Sequence, residues 1–527
     1  MSTGTQDAAV RAERMEEAPP VPTLTALLAR RAEDAGDREF LRFAEGSWTF
    51  GEIDAWTSRL AHRLIEVDGV RPGDRVAIML PNVVHWPVVW LAALKAGAVV
   101  VPVNCSYQRA DLAFVLRDSG ARIVFTDSER ADLVAEVRVA DDALAGVRVI
   151  DVADDGSKPF PAQAPPIPAE AETLANLQYT SGTTGFPKAC MLTHDYWLRL
   201  GWVCAGATGL GPDDVILTAQ PYSYMDPQWN TALALTVGAP LVVLPRFSAS
   251  TFMADVRRHG VTFFYVLGSM PTLLFKQPPT PEDRDNRLRM VFCSGIPVAL
   301  HEKLEERWGA PWREIYGMTE SGVDLFSPLT DAVGTGSLGG PVPTKRIRVV
   351  APDGSEAPDG EPGELVVAGK PMMTGYWNRP EATEAILRDG WLHTGDLVVR
   401  QSGEGLRLVG RIKDMVRRGG ENVACAEVEA ALERDDRVVA AAVVAVPDEV
   451  LGEEVKAFLQ LRNGIPADRT TAERIREQAG AQLARFKVPR YVEFVTDFPR
   501  TPSERVAKPV LRERDPGTTY DFSPRRS

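Results

Sequence analysis

Residues 179–188 read YTSGTTGFPK, from Tyr179 to Lys188, directly after a short apolar run at Leu174 to Leu177. Thr180, Ser181, Thr183 and Thr184 offer hydroxyl donors, while Gly182 and Gly185 let the backbone turn and expose its amides. Such a nest suits a polyphosphate, and Lys188 adds a point charge. It is not a Walker A loop: two residues separate its glycines, and Ala189 rather than Ser or Thr follows Lys188.

Working outward, the flanking chain reads as α/β. "DRVAIML" (Asp74 to Leu80), "AVVVPV" (Ala98 to Val103) and "ARIVFTD" (Ala121 to Asp127) are short β-branched runs with helical pattern between them. The rhythm returns after the loop in "DVILTA" (Asp214 to Ala219), "APLVVLP" (Ala239 to Pro245), "VTFFYVL" (Val261 to Leu267) and "LRMVFCSG" (Leu288 to Gly295). Continuous apolar strands joined by helices predict parallel sheets covered on both faces, here as two doubly wound subdomains. A Pro/Ala-rich linker, Lys158 to Pro168, separates the blocks. From about Thr330, Gly- and Pro-punctuated strands such as "RIRVVAPDG" and "GELVVAG" predict a small antiparallel or barrel-like unit. Past Gly410 the pattern is α+β, with helices at Ala426 to Arg434 and Thr471 to Ala484 among the strands "VVAAAVVAV", "VKAFLQL" and "RYVEFV".

The 527 residues are too many for one core, and at ~100–200 residues per domain several units are expected. With 44% hydrophobic and 25% charged residues the composition is globular. A net charge of −13 argues against a nucleic-acid surface, which needs clustered cations. Five scattered cysteines and six unclustered histidines support neither disulfides nor zinc, and point to a reducing, cytoplasmic setting. Met1 to Pro20 has no apolar core and reads as a flexible tail rather than a secretory signal. Val83 to Val103 could pass for a membrane span, but His85, Pro87 and Lys95 split it into a helix, a Gly turn and a strand, so no membrane span is expected.

Four further motifs accompany the loop in order: "YGMTES" (Tyr316 to Ser321), "GELVVAGKPMMTGYWN" (Gly363 to Asn378), "GWLHTGDL" (Gly390 to Leu397) and "GRIKDMVRRGGENV" (Gly410 to Val423). Over nearly its whole length the chain resembles the adenylate-forming, AMP-binding superfamily, and within it acyl-CoA synthetases of the crotonobetaine and fatty-acid type. The resemblance implies a flexible tail over residues 1–20, an N-terminal AMP-binding domain over 21–409, a hinge at 410–414 and a small mobile α+β domain over 415–527. It implies that ATP or AMP is held by Thr180, Ser181, Gly182, Thr183, Thr184, Gly185 and Lys188, by Ser294, Gly295 and Ile296, by Tyr316, Gly317, Met318 and Thr319, and by Asp396 and Arg411. Glu320 resembles the carboxylate that holds Mg2+, and Lys413 occupies the hinge position. Thr183, Lys188 and Glu320 take catalytic places, Gly419, Gly420 and Glu421 border the acceptor or CoA channel, and Ser294 and Ser321 line the substrate pocket.

Four departures from the family stand out. Ala189 replaces a Gly, a mild change if the backbone there is helical. "PYSYMDPQWN" (Pro221 to Asn230) puts Tyr224 at a usual His, with Met225, Gln228 and Trp229 beside it in the expected pocket, so a compact, polar or aromatic acid is implied. Cys425 replaces a Pro, which affects local stiffness. In "PRTPSERVAK" (Pro499 to Lys508), Glu504 stands at a Gly and Arg505 at the catalytic Lys, with Lys508 three residues on as the other candidate. The implied activity is ATP-dependent conversion of a small carboxylic acid to its acyl-adenylate with pyrophosphate release, then transfer to CoA. Two other readings stay open: adenylation with a non-CoA acceptor, such as nitrite activation for an aromatic amine, and a nucleotide-binding pseudoenzyme. The acid and the oligomeric state are not legible, a homodimer included.

Overall fold

The computed structural model describes residues 19–154, 160–180, 187–401, 405–418, 421–448, 450–500, 506–514 and 519–522. The stretch Val83 to Val103 resolves as expected into helix His85–Lys95, Gly97 in the left-handed region (φ 74°) and strand Val99–Pro102. This helix is apolar all round because it is buried all round. Its one cation, Lys95, is enclosed too and donates to the Asp54 carboxylate (2.6 Å) and the Ser58 hydroxyl (2.8 Å). No helix among the described residues is long and apolar enough to cross a membrane.

Strand Val99–Pro102 belongs to a six-stranded sheet ordered Arg148–Asp151, Ile123–Thr126, Arg75–Met79, Val99–Pro102, Leu174–Thr180, Lys188–Thr193. The first five run parallel, and the last returns antiparallel as a hairpin. A second sheet of nine strands has a parallel centre: Trp312–Met318, Met290–Ser294, Phe263–Leu267, Ile216–Thr218, Leu241–Val243 and Glu39–Phe43. Antiparallel strands close both of its ends. These are the two doubly wound subdomains anticipated from the apolar runs.

Side chains of both sheets share one core with the helices Leu24–Ala35, Phe50–Glu66, His85–Lys95, His194–Thr208 and Met225–Val237. Trp90 meets Trp197 edge-on at 5.5 Å, and Trp86 stacks on Tyr222 at 4.7 Å. A polar knot sits within this apolar layer. The indole N–H groups of Trp90 and Trp197 both donate to Asn176 Oδ1 (3.0 and 3.2 Å), and Asn176 Nδ2 donates to Gln228 Oε1 (2.8 Å). Gln228 Nε2 in turn faces Gln178 Oε1 and the carbonyls of Tyr222 and Tyr224, each at 3.0 Å.

Past Thr330 comes a sheet of the strands Lys345–Val350, Pro362–Gly369, Leu387–Arg388, Trp391–Gln401 and Gly405–Arg411, of which Trp391–Gln401 pairs antiparallel with both Leu387–Arg388 and Gly405–Arg411. The final α+β layer has the expected elements, with helices at Cys425–Leu432 and Arg469–Gly480 and the long hairpin Val438–Asp448 with Gly452–Leu461. Two compact units divide the chain, residues 1–347 with 367–392, and residues 348–366 with 393–527.

Asn176→Ala leaves two buried indole donors and a glutamine carbonyl without their partner. Its expected cost is at least about 3 kcal/mol, since each of the three unsatisfied buried polar groups costs about 1–3 kcal/mol. A lowered denaturation midpoint followed by tryptophan fluorescence checks this, and an unchanged midpoint contradicts it.

Candidate active site

Strands Leu174–Thr180 and Lys188–Thr193 pair as an antiparallel hairpin. Thr180 and Lys188 face each other as the last paired residues of strands Leu174–Thr180 and Lys188–Thr193. Ser181, Gly182, Thr183, Thr184 and Gly185 lie outside the described residues. The stem is tightly held. Tyr179 donates its hydroxyl to Asp118 Oδ2 (2.8 Å), and Arg379 pairs with Asp118 Oδ1 (2.7 Å). The backbone at Ala189 is not helical: the residue lies in the strand, opposite Tyr179 and 1% exposed. The ladder continues through it without a break, and an extended backbone accepts a Cβ without strain.

"YGMTES" forms the end of strand Trp312–Met318 and the tight turn into Gly322–Phe326. Gly317 is obligatory there, because a Cβ would lie 1.8 Å from the Gly322 carbonyl oxygen. Tyr196 donates to the Thr319 carbonyl (2.9 Å), and the Met373 amide to the Glu320 carbonyl (2.8 Å). The Glu320 side chain is buried and its Oε1 accepts the Tyr376 hydroxyl at 2.6 Å. Burial and the Glu320 charge push the Tyr376 phenol well up, so it stays a donor. The Lys188 ammonium lies 5.1 Å above the centre of the same Tyr376 ring. Lys188 and Glu320, far apart in sequence, thus meet on two parts of one side chain. Cys190 is fully buried beside them, its thiol pushed up by burial and by Glu320; Cys293 and Cys425 are likewise core residues.

Below the turn, Ser321 donates to Asp324 Oδ2 (2.5 Å), while Lys345 reaches the Ser321 carbonyl (2.7 Å) and Asp324 Oδ1 (3.2 Å). Burial pulls Lys345 down and Asp324 up, and their mutual attraction opposes both shifts. Ser321 is therefore enclosed in a buried ionic network, as Gln228 is in the polar knot.

Ser294, Gly295 and Ile296 leave the end of strand Met290–Ser294 beside the Tyr316 strand. Ser294 donates to the Ile315 carbonyl (2.7 Å) and accepts the Tyr265 hydroxyl (3.0 Å). Trp229 packs edge-on against Tyr265 at 5.4 Å, which links the "PYSYMDPQWN" segment to this bend. Tyr224 and Met225 begin helix Met225–Val237, and the Tyr224 hydroxyl accepts from Asn104 (3.0 Å).

Glu314 was not anticipated from the sequence. Its carboxylate takes the amides of Gly295 (2.6 Å) and Ile296 (2.8 Å) and so fixes the bend. The available signal was a lone acid within the apolar strand Trp312–Met318, on the same face as Tyr316. Burial raises Glu314 to about 7, although the two amides and His301 oppose that shift. The neighbouring strand brings Cys293 opposite it, with a thiol itself pushed up by burial and by Glu314.

In the second unit, Asp396 and Arg411 are partners across strands Trp391–Gln401 and Gly405–Arg411, with Arg411 Nε 2.7 Å from Asp396 Oδ1. Glu364 of "GELVVAG" holds the turn before Asp396 by accepting the Gly395 amide (3.0 Å) and pairing with His393 (2.8 Å). Lys413 lies in the short 3-10 turn Ile412–Asp414, and Glu421 opens strand Glu421–Ala424. Gly419, Gly420 and Arg505 lie outside the described residues. Lys508 does not: it starts helix Lys508–Glu513 and its ammonium sits 2.7 Å from Glu429 Oε1. Glu429 is itself held by the Val443 amide (2.7 Å). Burial opposes the Lys508 charge, but Glu429, Cys425 and Asp414 raise its pKa above the ordinary lysine value.

Glu314 gives a pH prediction with a defined sign. Its folded pKa lies above the unfolded value, so ionisation costs stability, which falls as pH rises through the acid range and levels off above about 7. Glu314→Gln removes the ionisable group and should flatten that profile. Melting temperatures measured from about pH 4 to 8 check this, and an unchanged slope contradicts it.

Comparison with known proteins gives these geometries a family. Residues 28–377 match the family described as AMP-binding enzyme, and residues 427–505 match the AMP-binding enzyme C-terminal domain. The chain is 34% identical to a sulfoacetate–CoA ligase of Cupriavidus necator, covering 92% of this chain and 96% of that protein. It is 32% identical to a crotonobetaine/carnitine–CoA ligase of Escherichia coli O157:H7, covering 88% and 93%. Its fold superposes with a TM-score of 0.82, at 28% identity and over 94% and 99% of the two chains, on o-succinylbenzoate CoA synthetase from Bacillus subtilis bound to an acyl-adenylate intermediate. The fold is thus that of an adenylate-forming enzyme, and the chain belongs to the AMP-binding enzyme family.

Proposed function

We infer that the protein is an ATP-dependent acid–thiol ligase. A carboxylate oxygen of the acid attacks the α-phosphorus of ATP, the bond to the β,γ-pyrophosphate breaks, and an acyl-adenylate forms. The thiol of CoA then attacks the acyl carbon, AMP leaves, and the thiol proton is released. The observation that carries this reading is the convergence of Lys188, Glu320 and the Tyr316–Thr319 strand end around one hairpin mouth, in a family whose relatives bear CoA-ligase names.

In this reading the amides and hydroxyls of residues 180–185, with Lys188, bind the phosphates, and Thr319 contacts the α-phosphate. Tyr316 and the Ser294–Ile296 bend hold the adenine. Asp396 and Arg411 hold the ribose, a carboxylate accepting hydroxyl protons while a guanidinium donates. Tyr224, Met225 and Trp229 bound the acyl pocket, while Gln228 and Ser321 act through the networks that enclose them. Lys413 is the hinge about which the C-terminal part turns between half-reactions, bringing Gly419, Gly420 and Glu421 to the acceptor channel. Free thiols at all five cysteines agree with a cytoplasmic enzyme.

Mg2+ fits the residues present. Among the described residues no cluster of three or more His, Cys, Asp or Glu is assembled for a metal. One buried carboxylate, Glu320, suits a cation that shares its coordination with nucleotide phosphates. Bound there, Mg2+ would offset charge on the phosphates. The chain's own residues orient the reactants and exclude water.

Lys508 is engaged by Glu429, which leaves Arg505 as the better candidate for the cation bridging the acid and the α-phosphate. Arg505→Ala should lower acid-dependent ATP–pyrophosphate exchange roughly 10²–10³-fold. Lys508→Ala should keep exchange within a few fold and lower the melting temperature. Lost exchange in Lys508→Ala with unchanged melting reverses the assignment. Pyrophosphate release measured across a panel of acids, each with and without CoA, tests the activity itself; release without thioester formation for any acid removes the CoA half.

A further inference from the structure

The segment Thr374–Arg379, part of a motif that supplied no expected site residue, is fastened along the hairpin strand Lys188–Thr193. The Met191 amide donates to the Gly375 carbonyl and the Trp377 amide to the Ala189 carbonyl, each at 2.9 Å, with a β-bridge between Cys190 and Tyr376. Trp377 Nε1 donates to the Asp118 carbonyl (3.0 Å), and Arg379 pairs with the Asp118 carboxylate (2.7 Å). The Tyr376 amide donates to Thr383 Oγ1 (2.8 Å). Gly375 has no room for a side chain: a Cβ would meet Thr383 Cγ2 at 2.9 Å. Backbone and neighbours on both sides thus fix where the Tyr376 ring lies.

That ring does two jobs at once. Its hydroxyl gives Glu320 Oε1 a 2.6 Å hydrogen bond, and its face carries the Lys188 ammonium at 5.1 Å. A carboxylate bound through one oxygen by a rigid donor loses rotational freedom and presents its other oxygen in a set direction. An ammonium on an aromatic face keeps its charge and gives up only a modest attraction when an anion arrives.

We propose that Tyr376 is a positioning residue of the adenylation site. Its phenol orients the Glu320 carboxylate for a phosphate-bound divalent cation, and its ring face seats Lys188 while the nucleotide is absent. This deepens the proposed function and rests on its assignment of Glu320 to the cation.

Tyr376→Phe separates the two roles, since it deletes the hydroxyl and keeps the ring. ATP binding is measured calorimetrically against Mg2+ concentration, together with ATP binding in EDTA and thermal melting. The expected result is a half-saturating Mg2+ concentration raised roughly tenfold, the usual scale for losing a partner that orients a metal ligand. Binding in EDTA should be unchanged. Glu320→Asp, which keeps the charge but withdraws it from the phenol, should show the same rise and provides a second reading if Tyr376→Phe folds poorly. Tyr376→Leu should in addition tighten binding in EDTA several-fold, because the ring contact that Lys188 gives up to the nucleotide is gone. Wild-type Mg2+ dependence in Tyr376→Phe, while Glu320→Gln shifts it, overturns the role of Tyr376 and leaves the functional reading intact. Unchanged Mg2+ dependence in Glu320→Gln overturns both.

Discussion

The antiparallel ladder between Leu174–Thr180 and Lys188–Thr193 is the constraint on which the site depends. It ends a parallel sheet by turning the chain back, and its register is held from both faces. Leu177, Tyr179 and Ala189 pack into one apolar layer, while Asn176 and Gln178 reach into the polar knot around Gln228. A slip of one residue would send Asn176 into the apolar layer and Leu177 against the buried amides, so both faces oppose it. Where Lys188 emerges is therefore decided by packing below it, in buried tryptophans and amides.

The second support is the way distant motifs brace one another. Glu364 holds the turn before Asp396, Glu314 holds the bend after Ser294, and Asp118 ties the root of the loop to Trp377 and Arg379. In each case a carboxylate inside the fold gathers N–H or O–H donors from a segment remote in sequence. Charged acceptors form stronger hydrogen bonds than neutral ones, so a few of them stiffen loops that lack regular structure.

This division explains what could be read in advance. Strands such as Val99–Pro102 and Phe263–Leu267 announced themselves because burial on both faces demands apolar runs. The loop and the "YGMTES" turn were legible from spacing, as Gly317 has no alternative against the Gly322 carbonyl. The Glu320–Tyr376 contact joins residues with no local pattern between them, and nothing in "GYWN" marks its tyrosine as different from a core aromatic. Glu314 left a fainter trace, as an acid where the strand should be apolar. Gln228 illustrates the opposite limit: its position in the pocket segment was legible, but its four hydrogen-bonding neighbours were not.

The acidic balance of the chain follows the same logic. A net charge of −13 belongs to the whole sequence, while several cations within each unit are held locally by acids or by a ring. Lys345 is neutralised by Asp324, Lys508 by Glu429 and Arg411 by Asp396, whereas Lys188 rests on the face of Tyr376. The difference matters for binding. An anion drawing Lys345 away would leave the buried Asp324 carboxylate without its partner, at a cost of several kcal/mol, whereas the Glu429 partner of Lys508 is partly exposed. Lys188 leaves only a ring face behind, a loss of about 1–2 kcal/mol. Arg411 is partnered by the buried Asp396 carboxylate but is itself about two-fifths exposed. The pattern of partners thus grades these cations from Lys345, enclosed with a buried carboxylate, to Lys188, seated on an aromatic face.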